Sequence, residues 1–174
     1  MGGRSRLVSF VLTGTSAIVL LGCAGTDLST GSIAPYEAAN NFYPYGYRDS
    51  VIAENQHQVS ASGTATASKA RLEKIALRRA AEIGVEKRKK FLQLGSASHG
   101  VTCTKKQAMT HKGRETPAGA RSTVTVDVAF ADTAIDSSYR ETKAALEEFK
   151  TALDADTSTA DPAEAEALKA QCGV

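Results

Sequence analysis

Arg121-Ser122-Thr123-Val124-Thr125-Val126-Asp127-Val128-Ala129-Phe130-Ala131 decides the fold of this chain. Val124, Val126, Val128 and Phe130 face one way. Thr123, Thr125, Asp127 and Ala129 face the other. A period of two is that of a β-strand, and an apolar row opposite a polar row describes a sheet covered on one side. The apolar row needs something to pack against.

Residues 69–88 provide it. Leu72, Ile75, Ala76, Ala80 and Ile83 recur at spacings of three and four, so one stripe of a helix is apolar. Ser68 stands where an N-cap belongs. Arg71, Lys74, Arg78 and Glu82 lie off the stripe, and replacing Arg78 is expected to cost little. Gly84 weakens the helix, which is expected to end near Arg88. Outward from this pair, Tyr47–Ala53 and Gln56–Thr64 read as two strands joined at Glu54-Asn55. His57, Val59 and Ala61 share one face of the second. Lys89–Ala97 reads as a strand, and Thr102-Cys103-Thr104 continues or returns it. Lys105–Ala120, with His111, Gly113, Pro117 and Gly119, reads as an exposed loop. A second helix is predicted over about 137–153, starting at Asp136 or Ser137. Pro162 opens a last short helix. The fold class is α+β: a small, mainly antiparallel sheet packed on a long helix over about 69–88, with a C-terminal helix over about 137–153.

The first 22 residues are built differently. Arg4 and Arg6 precede the apolar run Leu7–Leu21, which is broken by Ser9, Thr13, Gly14, Thr15 and Ser16. That run falls short of the roughly 20 apolar residues of a bilayer span and has the layout of a secretory signal. It ends in Leu20-Leu21-Gly22-Cys23, which resembles the lipobox of bacterial lipoproteins. The resemblance implies cleavage before Cys23, acylation of Cys23, and a membrane partner reached through that lipid. Ala24 is not the Asp that retains many such lipoproteins in the inner membrane. The resemblance therefore points to the inner leaflet of the outer membrane, with the domain facing the periplasm. Residues 23–41 read as the lipidated Cys and a flexible tether rich in Gly, Ser and Thr. Residues 42–154 read as the domain and 155–174 as an acidic tail. The aromatic group Phe42, Tyr43, Tyr45 and Tyr47 is expected to close one edge of the core.

Loss of the signal changes the electrostatics. Without Arg4 and Arg6, 21 Lys plus Arg become 19, against 19 Asp plus Glu. A formally neutral mature chain gives no bulk-charge case for a nucleic-acid partner. The charge is polarised instead. Residues 69–126 are basic, whereas 127–174 carry four Lys/Arg against eleven Asp/Glu. The two regions can pair within the molecule or meet outside partners.

Of three cysteines, Cys103 and Cys172 remain once Cys23 is lipidated. In an oxidising periplasm the expectation is a disulfide between them, with a Cys172–Cys172 dimer link as the alternative. Such a bridge is expected to bring Glu164 and Glu166 back towards Lys105 and Lys106.

The spacing Gly46-Tyr47, Ser68 before a helix, Leu77-x-Arg79-Ala80-Ala81-Glu82 and then Phe91 resembles an uncharacterised family of bacterial envelope lipoproteins. That family usually has Gly-Tyr-Asp where this chain has Arg88-Lys89-Lys90. The resemblance implies a location and a small α+β fold, and no activity.

Few residues carry chemistry. His99, Cys103 and His111 lack the paired spacing of a zinc site, so no metal and no cofactor is expected. A Cys103–His nucleophile competes with the disulfide for its thiol. No Gly-x-Ser-x-Gly and no phosphate loop is present. Lys87-Arg88-Lys89-Lys90 is the densest charge run. It suits the C-terminal end of a helix dipole, and it also suits contact with an anionic envelope component or an envelope protein. The functional expectation is a non-enzymatic binding or scaffolding lipoprotein. The alternatives are a redox sensor using Cys103 and Cys172 and a periplasmic enzyme with a groove the sequence does not reveal.

Overall fold

A computed structural model describes residues 33–41, 43–104, 107–108, 115–116 and 119–174. Cys23, with the signal and the first part of the tether, lies outside the described residues. So do Phe42, Lys105, Lys106 and His111. The elements run β1 Gly46–Ala53, β2 Gln56–Thr64, α1 Lys69–Glu86, β3 Phe91–Leu94, β4 Ser98–Thr104, β5 Gln107–Ala108, β6 Glu115–Thr116, β7 Gly119–Ala131, β8 Arg140–Glu141, α2 Thr142–Asp154 and α3 Pro162–Gln171.

β7 is the spine of an antiparallel sheet. β2 lies along one side of it in the register His57↔Val128, Val59↔Val126 and Ala61↔Val124. On its other side β3 pairs near its end, Leu92↔Phe130, and β4 pairs near its start, His99↔Val124. β1 closes one edge against β2, and β8 adds to β3. The register stacks the alternating apolar residues of β2 and β7 in one layer. α1 covers that layer with Leu72, Ile75, Ala76, Ala80, Ala81 and Ile83, all buried. Ile75 is 0% exposed and Val126 1%. Ser68 accepts a hydrogen bond from the amide of Arg71 (3.4 Å). The α+β class and the mainly antiparallel sheet on α1 are thus as expected.

Several boundaries differ. α2 starts at Thr142, because Asp136 Oδ1 accepts from the Ser138 amide (2.8 Å) in a side-chain turn that stops helix there. Arg140 and Glu141 then pair with β3 as a strand. The predicted loop 105–120 contains the short β5–β6 hairpin, and its last residues, Gly119 and Ala120, already belong to β7.

Gly84 is buried in the last turn of α1, where a side chain would not fit. A Cβ there would lie 2.7 Å from Thr142 Cγ2 and 2.8 Å from Phe130 Cε1. That close approach seats the start of α2 against the end of α1. α2 contributes Ala145, Phe149 and Leu153 to the core.

Residues read as tether dock on the domain. Ala34 is buried, Ala38 bridges Tyr47, and the Tyr47 amide donates to Glu37 O (2.8 Å). Of the aromatic group expected to close a core edge, Tyr47 packs on the core, with the Tyr36 ring tilted against it at 5.0 Å, whereas Tyr43 and Tyr45 meet each other away from it.

Candidate functional site

The basic run leaves the end of α1. Lys87 caps the helix, and Arg88 follows with φ 58°, in the left-handed region that favours glycine. The Lys89 amide donates to Gly84 O (2.8 Å), and the Thr142 amide donates to Lys90 O (2.9 Å). The turn is therefore held from both sides. Between α1, β3 and the start of α2 lies a groove of about 650 Å³ lined by Val85, Arg88, Lys89, Lys90, Phe91, Glu141 and Lys143. Its floor is apolar, Val85 and Phe91, and its rim is cationic.

The four cations of the sequence run do not act alike. Lys89 is half-buried and pairs with Asp132 (3.1 Å). Lys87 does not line the groove. Arg88 and Lys90 are exposed and have no ion pair among the described residues. The structure adds Lys143, which sequence reading missed. It lies far along the chain on α2, and the Gly84–Thr142 contact, the Thr142–Lys90 hydrogen bond and the β3–β8 pairing bring it here. Glu141 is the carboxylate of the rim.

The cations along α1 itself are paired within the molecule. Arg71 Nε donates to Ala34 O (2.8 Å), its Nη1 to Leu153 O (3.3 Å), and Nη1 also to Asp156 O. Lys74 pairs with Asp156 (2.5 Å), Arg78 with Asp154 (3.3 Å), and Lys69 with Glu164. The Arg78 guanidinium also lies 3.9 Å over the Tyr36 ring. The basic middle and acidic tail thus pair within the molecule. Glu164 meets Lys69, and Glu166 meets Lys169 (2.7 Å). The expected partners Lys105 and Lys106 lie outside the described residues. Tyr36 donates to Glu82 Oε2 (2.5 Å), and burial, followed by that hydrogen bond, pushes its hydroxyl pKa up.

Cys103 and Cys172 are joined by a disulfide, their Cα atoms 5.2 Å apart and 69 residues apart in sequence. It fastens the end of α3 to β4, beside a small cluster of Ala65, Ala120 and Leu168. No set of three or more His, Cys, Asp or Glu that could hold a metal occurs among the described residues. His57 is 3% exposed in the core, edge-on to Phe130 at 5.7 Å, and neither ring nitrogen has a hydrogen-bond partner among the described residues. Burial first, then the charge of Lys87, lowers its pKa.

No protein-family model, curated protein or solved structure matches the chain. The site defines a helix-backed sheet domain with an amphiphilic cationic groove.

Proposed function

We propose that the protein is a lipid-anchored envelope module without catalytic chemistry, held to the membrane through acylated Cys23 and binding an anionic amphiphile in the groove at the end of α1. The observation that carries this reading is the pairing of an apolar floor, Val85 and Phe91, with a rim of Arg88, Lys90 and Lys143. A phosphate or carboxylate head meets the rim, and an attached apolar chain meets the floor.

The anchor restricts which amphiphile. The chain joins the domain at the start of α1, where Arg71 holds Ala34. The groove lies at the other end, about 27 Å away along the 18 residues of α1. The segment 23–33 reaches at most about 35 Å when fully extended. It would have to run taut down the domain for the groove to touch its own bilayer. The geometry favours a ligand presented from the periplasmic side, with the outer-membrane leaflet as the proposed attachment.

The test is binding of short-chain phosphatidic acid, compared with short-chain phosphatidylcholine, to the full chain. Charge reversal at Arg88, Lys90 and Lys143 should abolish the preference for phosphatidic acid. Equal binding of both lipids, or binding that survives reversal, contradicts the proposal.

A further inference from the structure

No element among the described residues covers the sheet face opposite α1, and its outward residues carry hydroxyls on adjacent strands, with Ser62 Oγ 3.1 Å from Thr123 Oγ1. At one end of this face Asn40, Asn41, Pro44 and Tyr45 rise as a wall. The Tyr43 amide donates to Asn40 Oδ1 (2.8 Å), Arg48 Nη2 donates to Asn40 O (3.0 Å), and the Tyr43 and Tyr45 rings meet edge to face at 5.3 Å. Wall and sheet enclose an open bowl of about 680 Å³ whose lining includes Tyr45, Arg48, Ser62, Thr102, Arg121 and Thr123.

Three features of this bowl point to one ligand chemistry. The described residues that line it include two guanidinium groups and no carboxylate. Arg121 Nε is sealed from solvent yet has no hydrogen-bond partner among the described residues, so its donor is desolvated without compensation. The remaining polar groups are neutral hydroxyls and amides, with the Tyr45 ring beside them. From the register, Arg48 stands opposite Ser60 and Arg121 opposite Thr64, which sets their Cα atoms roughly 16 Å apart. The two cations enter the bowl from strands on opposite sides of β2.

We propose that this bowl is a second binding site, separate from the groove at the end of α1, and that it takes an acidic oligosaccharide. Arg121 engages a carboxylate of the sugar, for which a guanidinium fork is suited. The hydroxyls of Thr102, Ser62 and Thr123 exchange hydrogen bonds with sugar hydroxyls. Tyr45 offers a flat apolar face to a sugar ring. The bowl is larger than a phosphate ion needs.

The experiment is calorimetric titration of the full chain with a uronic-acid oligosaccharide, with its carboxyl-reduced neutral counterpart, and with inorganic phosphate. The acidic oligosaccharide should bind at least tenfold more tightly than either other probe. Arg121→Gln and Tyr45→Ala should each weaken it by tenfold or more, while Arg88→Glu leaves it unchanged. Thermal unfolding shows whether each variant is folded, and Tyr45→Ala carries the test if Arg121→Gln is not. Absence of binding, phosphate binding as tight as the oligosaccharide, or equal binding of the neutral sugar overturns the proposal. Loss of binding in Arg88→Glu alone also overturns it, because the ligand would then sit in the other site.

Discussion

The two ends of α1 carry similar charge and use it in opposite ways. At the first end Lys69, Arg71, Lys74 and Arg78 are each tied to the acidic tail or to the N-terminal segment. At the last end Arg88 and Lys90 stand exposed around an apolar floor. The difference follows from where the acidic residues land. Asp154, Asp156 and Glu164 come back to the start of the helix, so cations there act as clasps. The turn after α1 receives Asp132 for Lys89 and Glu141 at its rim, and otherwise presents its charge outward. A basic stretch is therefore not one feature: most of it builds the molecule, and Arg88 and Lys90 remain available to a ligand.

The largest effect should come from the bridge that holds the tail. Replacing Cys103 and Cys172 together by Ser opens a 69-residue separation and should cost up to about 4 kcal/mol in denaturant unfolding. Short-chain phosphatidic acid should still bind the folded variant, because the groove does not depend on α3. If binding is lost while the fold persists, the two ends are not independent.

Next comes the layer beneath both ends. Ile75→Ala should lower stability by about 3 kcal/mol, as burial of a large aliphatic side chain against β7 implies. A change within error of zero would mean that α1 does not cover the sheet through this stripe.

The comparison is sharpest between two cations of the same helix region. Arg78→Ala should cost about 1 kcal/mol, through its ring contact with Tyr36 and its exposed-side pairs. Lys90→Ala should change stability by less than about 0.5 kcal/mol. Equal costs measured by the same denaturant titration would erase the distinction.

A smaller effect is expected from acid. Burial works to raise the Asp156 carboxyl, but hydrogen bonds from Lys74 and Ser158 outweigh it and hold the pKa down to about 2. The ordinary value of about 3.9 applies when the chain is unfolded. The folded value is the lower one, so this stabilisation is present above pH about 4 and is lost as pH falls towards 2. Asp156→Asn should flatten that limb of the stability curve. An unchanged slope would remove Asp156 from the clasp.

The sheet and its cover were legible because both are periodic. Val124, Val126, Val128 and Phe130 announce a strand, and Leu72, Ile75 and Ile83 announce the helix above it. The Cys103–Cys172 pairing was expected from residue arithmetic, on the reading that Cys23 is lipidated and the domain faces an oxidising space. The start of α2 was misplaced because a turn at Asp136 and a strand pair at Arg140–Glu141 compete with helix, and neither leaves a periodic trace. Arg78 reads as a surface cation because its partners, Tyr36 and Asp154, lie far away in the chain. Lys143 joins the groove, and Arg48 and Arg121 the bowl, only after folding. Sites assembled from several segments have no local pattern to read.

Arg88 offers the most direct measurement. It occupies a left-handed position at φ 58° that glycine would fill without strain, so Arg88→Gly should raise stability by about 1 kcal/mol. The same change removes a rim cation and should weaken binding of short-chain phosphatidic acid at least fivefold, without affecting phosphatidylcholine. Stability gained together with affinity lost is the result that the groove as an anion site predicts. Stability gained with phosphatidic-acid affinity unchanged would contradict it.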